Sequence, residues 1–382
     1  MIYLDSSSTT KPKQEVIYDI MRYLTDMWYN PSSLYYESAE VKKKIEIARN
    51  NIGEFIGGKG DEIYFCSCGS EANCMMIQGF IKRCHLNNVN PIIITSVIEH
   101  KSILDCVEDM KNLKYSKVYF VNVDEYGLIN LDELEGLLKQ ISENDRALVS
   151  IQFANNEIGT CQHVKIISDL VHMYGGIFHT DAVQCVGQFP INVKELGIDA
   201  LSMSGHKIYA PKGIGFLYKK KDININPIIY GSQMNGMRGG TENVPYIIGL
   251  NKALEYCDIS NEKIIEMCNK RDYFIFKLEN KFNCRINGHR DFRLPNNINV
   301  TFLQNITGES LLYMLDMAGI KVSTGSACNS HSIEPSHILK AIKLSDEDAM
   351  KTIRFTISED TTYDDIDNVI KEIDKAIKII SL

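Results

Sequence analysis

The chain contains 382 residues, of which 44% are hydrophobic and 24% charged, and its formal net charge is −8 at pH 7. At roughly 150 residues per domain this length predicts two or three globular domains, and the acidic balance argues against direct nucleic-acid binding or an anionic membrane as main partner. The apolar runs are far shorter than the ~20 residues of a membrane span, and the opening stretch has no signal-peptide pattern. The spacing of the eleven cysteines suggests no disulfide framework. These features together predict a cytoplasmic protein that contacts no membrane.

Short apolar runs alternate with helical patterns along the first part of the chain. Seven runs predict β-strands, at residues 63–66, 92–95, 118–121, 147–152, 177–180, 201–204 and 214–218. Helical patterns lie between them at about 71–84, 102–112, 131–140 and 164–174. This order predicts an α/β fold with a large, mostly parallel seven-stranded sheet and right-handed crossovers. The last strand follows its neighbour closely enough to pair antiparallel.

The pattern changes near residue 246, where a smaller α+β region begins. One long helix is predicted from there to about 282, followed by extended segments at 284–287, 297–302 and 352–357 and by helices at 309–318 and 363–379. The opening helices, 14–27 and 38–55, could fold back on either part. We expect a large domain over 16–250, a small domain over 251–382, and residues 1–15 packed on the small domain.

Two strand ends carry residues suited to an aldehyde cofactor. Lys207 closes Ser204-Gly205-His206-Lys207, and a lysine amine can form a Schiff base with such a cofactor. Asp181 ends the preceding strand, with Gln184 shortly after it, and a carboxylate there can keep a pyridine nitrogen protonated. Alone, the lysine would more often be a surface residue and the aspartate a helix cap. The pair is more specific because open α/β sheets bind ligands at the carboxyl ends of their strands.

The segment Ser67-Cys68-Gly69-Ser70-Glu71-Ala72-Asn73 follows one strand and precedes a helix. Small residues such as Gly69 let the backbone approach a ligand, and a helix N-terminus offers free N–H groups to a phosphate. Ser70 suits either a phosphate ligand or a plain N-cap. Cys66-x-Cys68 has no second Cys/His pair nearby at zinc-ligand spacing, so no metal site is predicted.

Two further motifs follow strand ends. His100 in Glu99-His100-Lys101 suits either a hydrogen-bonded structural role or stacking on a pyridine ring. Asn155 opens Asn155-Asn156-Glu157-Ile158-Gly159, which supplies side-chain amides and a glycine for a turn. Five such motifs converge on one edge of the predicted sheet, which favours a common binding site.

Together these residues resemble the cysteine desulfurases of the NifS/IscS-like kind, within the class V aminotransferases. The resemblance runs nearly end to end, from Tyr3-Leu4-Asp5 with Thr9-Thr10 through Asn30-Pro31-Ser32-Ser33 to Arg354. Besides the Asn155 and Lys207 motifs, its most specific piece is Ser323-Thr324-Gly325-Ser326-Ala327-Cys328. It implies a fold-type I transferase that binds pyridoxal 5'-phosphate, forms a homodimer and takes L-cysteine as substrate.

The resemblance also implies a role for each site residue. Lys207 would hold the cofactor as a Schiff base and move the substrate's Cα proton, with His100 stacked on the ring. The remaining cofactor contacts would come from Asp181 on the pyridine nitrogen, Gln184 on the phenolic oxygen, Gly69, Ser70, Ser204 and His206 at the phosphate, and Thr241 of the neighbouring subunit. Asn155, which would also contact the cofactor, and Arg354 would orient the substrate.

Cys328 would be the sulfur-accepting nucleophile. It lies among small and polar residues, a composition typical of an exposed loop, whereas a cysteine considered alone is more often a small buried hydrophobe. The Ser-Ala-Cys type of segment resembles the long-loop subgroup, which passes sulfur to partners. Such acceptors include an iron–sulfur scaffold or a tRNA- or cofactor-thiolation enzyme.

Some positions depart from the family pattern. Leu34, Tyr35 and Tyr36 replace the histidine common after Asn-Pro-Ser-Ser, Gln233-Met234-Asn235 replaces a Gln-Glu-Arg sequence, and the chain stops soon after its last helix. Two alternatives stay open: a selenocysteine lyase or aminotransferase of the same fold, and a non-catalytic scaffold in a sulfur-transfer complex.

Overall fold

The computed structural model describes residues 1–324 and 335–380. Its strands are β1 (Ile2–Tyr3), β2 (Ile63–Cys66), β3 (Asn90–Ser96), β4 (Lys117–Val121), β5 (Asp145–Ser150), β6 (Ile177–Asp181), β7 (Ala200–Ser204), β8 (Gly215–Lys219), β9 (Cys284–Asn287), β10 (Asn297–Phe302), β11 (Ile320–Lys321) and β12 (Thr352–Thr356). Its α-helices are α1 (Gln14–Thr25), α2 (Tyr36–Phe55), α3 (Gly69–Leu86), α4 (Lys101–Asn112), α5 (Leu131–Leu138), α6 (Val164–Met173), α7 (Val244–Glu255), α8 (Asn261–Lys281), α9 (Gly308–Met317), α10 (His337–Ala341), α11 (Asp346–Met350) and α12 (Tyr363–Ile380). None of these helices is long and apolar enough for a membrane span.

A seven-stranded sheet in the order β2-β8-β7-β6-β5-β3-β4 forms the centre of the larger part. The five strands from β7 to β4 pair parallel, and β8 pairs antiparallel with both β7 and β2. Every residue of β6, β7 and β8 is buried, because helices cover both faces of the sheet. The predicted α/β fold, with its mostly parallel sheet and one antiparallel strand, is confirmed.

The strand directions bring the predicted motifs to one edge. β2 runs parallel to β7, since both are antiparallel to β8. The carboxyl ends of β2, β3, β5, β6 and β7 therefore meet on the same side of the sheet. The segments that follow these ends begin at Ser67, Val97, Ile151, Ala182 and Gly205.

A second core forms around the antiparallel sheet β12-β10-β9. Phe274, Phe302 and Phe355 are fully buried there, between the sheet and the helices α8, α9 and α12. The start of the chain joins this core, because β1 pairs with β11 and Leu4 is fully buried within it. The following helix, α1, packs instead on α7 in the first core.

The prediction of a single long helix from residue 246 to 282 is wrong. The chain forms α7 and α8, which are separated by a short connection. Ser260 caps α8 by accepting a hydrogen bond from the backbone N–H of Lys263, and Asp258 accepts one from the N–H of Ser260. The two helices belong to different hydrophobic cores, since the buried apolar side chains of α7 lie in the first core and those of α8 in the second.

Candidate active site

Asp181 ends β6 and is held by two neighbours. Asn73 donates from Nδ2 to Oδ2 of Asp181 over 2.8 Å, and the backbone N–H of Val183 donates to Oδ1 over 3.0 Å. The same Asn73 amide donates to Oγ of Ser102 on α4 over 3.0 Å. The carboxylate is 9% exposed, so these contacts fix its direction at the strand end.

Sequence reasoning assigned no role to Asn73. It lies one helical turn after Gly69 and Ser70, in the motif already identified at the start of α3. Residues three or four apart share one face of a helix. That spacing was the available signal that Asn73 faces the same site as the motif's glycine and serine.

The start of α3 and the end of β7 form a close-packed cradle. A Cβ added to Gly69 would lie 2.6 Å from Cγ2 of Val183 and 3.4 Å from Cβ of Ser204. The N-cap residue of α3, Cys68, forms no side-chain capping bond. Oγ of Ser204 is buried and has no hydrogen-bond partner among the described residues, and Ser70, which follows Gly69 in sequence, is exposed. A phosphate group fits beside a helix N-terminus that lacks a side-chain cap from Cys68 and a serine hydroxyl that has no partner in the described part of the chain.

Lys207 and His206 lie in a short turn directly after β7. The Lys207 ammonium donates to the backbone carbonyl of Ser8 over 2.8 Å and to that of Ser7. His206 Nδ1 lies 3.2 Å from Oγ1 of Thr9. Burial, with Lys207 and Lys212 nearby, lowers the pKa of His206 to about 4, so its imidazole is neutral at neutral pH.

Residues 5–13, the opening segment, also reach Gln184 and Arg354. Gln184 donates from Nε2 to the carbonyl of Ser7 over 3.2 Å. Arg354, on β12, donates from Nη2 to Oδ1 of Asp5 and to Oγ of Ser8, each over 2.7 Å. The opening segment therefore contacts predicted site residues from both sheets.

His100 and Glu99 lie before α4. His100 caps the helix, because its Nδ1 accepts from the backbone N–H of Ser102 over 3.1 Å and lies 2.8 Å from the Ser102 hydroxyl. The ring is exposed. Glu99 is fully buried, and burial raises the pKa of its carboxyl to about 8. The backbone N–H of Gln152 donates to this carboxyl over 2.9 Å.

The remaining predicted residues are Asn155, Thr241 and Cys328. Asn155 is fully buried, and its amide closes a local turn by accepting from the N–H groups of Glu157 and Ile158 and donating to the carbonyl of Ile98. Thr241 is exposed. It follows Arg238, which pairs with Glu71 of α3 at 2.8 Å. Cys328 lies outside the described residues.

The arrangement fits pyridoxal phosphate. Three groups meet at one sheet edge: the oriented carboxylate of Asp181, Lys207 one strand away, and the anion cradle. The cradle includes the Ser204 hydroxyl, which has no partner among the described residues. These are the groups that such a cofactor needs for its ring nitrogen, its aldehyde and its phosphate. Arg354 adds a cation for a carboxylate ligand.

Comparison with known proteins gives consistent matches. The family model described as aminotransferase class-V matches residues 2–369. A Dictyoglomus turgidum protein named cysteine desulfurase IscS is 42% identical over 380 residues, which cover 99% of this chain and 94% of that protein. Two solved structures also match over most of the chain. A NifS-like protein has a TM-score of 0.90 and 31% identity and covers 99% of both chains. A structure described as SspA in complex with cysteine has a TM-score of 0.82 and 32% identity, and covers 94% of this chain and 99% of its own.

These matches confirm the fold-type I architecture and the predicted family, whose members depend on pyridoxal phosphate. The chain belongs to the class-V aminotransferase family, in the group that contains the IscS and NifS-like cysteine desulfurases.

Proposed function

We propose that the protein is an L-cysteine desulfurase that releases L-alanine and keeps the sulfur as a persulfide on Cys328. The observation that carries this proposal is the position of Lys207 just after β7 and of an oriented Asp181 at the end of the adjacent parallel strand β6, beside an anion cradle. The name of the 42% identical relative supports the same activity.

Pyridoxal phosphate, when bound, supplies an electron-withdrawing ring that stabilises negative charge on the substrate's Cα. Lys207 would bind its aldehyde as a Schiff base and move the Cα proton. Asp181 would keep a positive charge on the ring nitrogen, while Gln184 would donate to the phenolic oxygen and His100 would stack on the ring. The start of α3 at Gly69 and Ser70 would bind the phosphate, together with Ser204 and His206.

Arg354 and Asn155 would orient the substrate. The Arg354 guanidinium suits the substrate carboxylate, because planar N–H donors bind a carboxylate at two points. It is buried, so water competes little for it. Asn155 lies in the turn beside Asn156, whose carbonyl accepts from Arg354 Nη1 over 3.1 Å.

Cys328 would attack the substrate sulfur as a thiolate. The sulfur–carbon bond would then break, its electron pair would stay on the carbon, which takes up a proton to become the methyl group of alanine, and the sulfur would remain bound to Cys328. We propose a protein acceptor for this sulfur, of the kind used in iron–sulfur cluster assembly or in the thiolation of tRNA or a cofactor. A cytoplasmic location fits the free state of all the described cysteines.

We also propose a homodimer. Aromatic and aliphatic side chains form an exposed surface around α1 and the segment after it, where Trp28 stacks on Tyr29 and Tyr29 meets the edge of Tyr35. Tyr18 and Trp28 are each 66% exposed and Tyr36 is 75% exposed. A large exposed apolar surface of this kind on one subunit favours its burial in an interface with a second subunit. Two of the family departures, Tyr35 and Tyr36, belong to it.

In the proposed dimer, Thr241 reaches the phosphate of the neighbouring subunit. We further propose the division into a large domain over 16–250 and a small domain over 251–382, with residues 1–15 on the latter. The pairing of β1 with β11 supports that last assignment.

The experiment is to incubate the purified enzyme with L-cysteine and reductant and to quantify sulfide and alanine. We expect equal amounts of both from the wild type, none from Cys328→Ala, and wild-type amounts from Cys268→Ala, which removes a free cysteine of α8. Full activity in Cys328→Ala would contradict the assigned nucleophile. A keto acid product, or turnover of selenocysteine alone, would favour the other activities of this fold, and a colourless, inactive protein would favour the scaffold.

A further inference from the structure

The opening segment, residues 5–13, connects the two cations of the site. Ser8 accepts from the Lys207 ammonium through its backbone carbonyl, over 2.8 Å, and from Arg354 Nη2 through its hydroxyl, over 2.7 Å. Asp5 accepts from the same Nη2 over 2.7 Å and from the Ser8 hydroxyl over 2.8 Å. The lysine follows a strand of the large sheet and the arginine lies on the small one, so this segment bridges the two halves of the site.

The Arg354 guanidinium depends on the contacts of this segment because it is buried. The Arg354 side chain is 6% exposed and that of Asp5 is 20% exposed. A guanidinium removed from water needs an anionic or hydrogen-bonding partner to keep its charge in place. Asp5 and Ser8 hold Nη2 and the carbonyl of Asn156 holds Nη1, while Nε is buried without a partner among the described residues.

We infer that Asp5 is a positioning residue for substrate binding: with Ser8, it sets the orientation of the Arg354 guanidinium and its placement relative to the Lys207 amine. This inference rests on the proposed function, in which Arg354 binds the substrate carboxylate. Asp5 itself would contact no reacting atom. Its effect is on affinity for ligands that carry a carboxylate.

A merely structural role for Asp5 predicts a different result. The opening segment is also fastened elsewhere, by the Tyr3 hydroxyl on the carbonyl of Thr9 and by an ion pair of 2.8 Å between Lys13 and Glu359. If Asp5 served only to fasten the segment, its loss would resemble the loss of the Lys13–Glu359 pair. Glu359→Gln is therefore the matched control, since it removes an ion pair of this segment and leaves Arg354 untouched.

The test compares L-alanine with ethylamine, which is the same amine without the carboxylate, as ligands of the purified holoenzyme in calorimetry. We expect Asp5→Ala to weaken L-alanine binding and to raise the KM for L-cysteine roughly tenfold, as the loss of about 1.4 kcal/mol of contact energy would do. Ethylamine affinity and kcat stay within about twofold. Asp5→Asn and Ser8→Ala each give a smaller loss in the same direction, and Glu359→Gln behaves as the wild type.

Unchanged L-alanine affinity in Asp5→Ala, or an equal loss for ethylamine, would overturn the inference. If Asp5→Ala does not fold, as its melting temperature would show, Asp5→Asn and Ser8→Ala carry the same comparison. The proposed function fails in a distinguishable way: the wild type would then release no sulfide from L-cysteine, whatever the Asp5 variants do to L-alanine binding.

Discussion

Asn73 donates a 2.8 Å hydrogen bond to the carboxylate of Asp181, joining α3 to the end of β6. Its second amide hydrogen reaches Ser102 at the start of α4. One side chain therefore ties together the helix that forms the anion cradle, the strand that carries the acid and the helix that His100 caps. Because the acid has a fixed direction, its charge can act on a ring nitrogen at a defined position.

We expect Asn73→Ala to lower kcat about tenfold, because a hydrogen bond to a charged group contributes about 1.5–3 kcal/mol and its loss frees the Asp181 carboxylate to turn. The absorption maximum of the bound cofactor should shift in the same variant. Steady-state sulfide release and the visible spectrum measure the two effects. The control is Asn90→Ala, which removes a similar amide–carboxylate bond to Asp145 on the exposed surface. Identical behaviour of the two variants would contradict the role of Asn73.

Gly69→Ala should weaken pyridoxal phosphate binding. The new Cβ would lie 2.6 Å from a Val183 methyl group, and overpacking of this kind costs about 1–3 kcal/mol, or roughly tenfold in affinity. Titration of the apoenzyme with the cofactor measures the dissociation constant. Gly69→Ala combined with Val183→Ala should restore most of the affinity, since it removes the clash. A double variant as weak as the single one would show that the clash is not the cause.

Lys207→Ala should lose activity by at least about a hundredfold, in line with the usual contribution of a proton-transferring group. Borohydride treatment should leave no covalently attached cofactor on this variant. Mass spectrometry after reduction checks the attachment, and Lys212→Ala, an exposed lysine in the same loop, serves as the control. Covalent cofactor on Lys207→Ala would move the assignment to another amine.

Stability should depend on pH through Glu99. Burial raises the pKa of its carboxyl from 4.5 to about 8 in the folded chain, so between these values the folded state keeps a proton that the unfolded state has released. The free energy of unfolding therefore falls as pH rises through this window, by up to about 1.4 kcal/mol per pH unit from this group. Below about pH 4.5 the group has no such effect.

Glu99→Gln should remove this contribution. Its free energy of unfolding, measured in urea, should rise relative to the wild type between pH 5.5 and pH 8. Glu143→Gln, an exposed substitution, should show a constant difference from the wild type over the same range. A constant difference for Glu99→Gln as well would mean that its carboxyl is already ionised in the folded chain.

Apolar runs and strand–helix alternation were sufficient to predict the seven-stranded sheet and the ends at which its motifs lie, because strands buried on both faces need continuous apolar sequence. Lys207 and Asp181 could be proposed as site residues because a lysine and a carboxylate at neighbouring strand ends form a more specific combination than either residue alone. The break between α7 and α8 could not be predicted from the sequence, because helical periodicity does not show which hydrophobic core a helix faces.

Local sequence determined which residues are candidates for the chemistry and which segments become strands and helices, because both depend on residue type and short-range spacing. Only the tertiary structure decided that Asn73 holds Asp181 and that Asp5 and Ser8 hold Arg354. Asp5 and Arg354 are 349 positions apart. A contact at such separation arises because the opening residues pair with β11 and lie beside β12, and no short-range pattern in the chain encodes it.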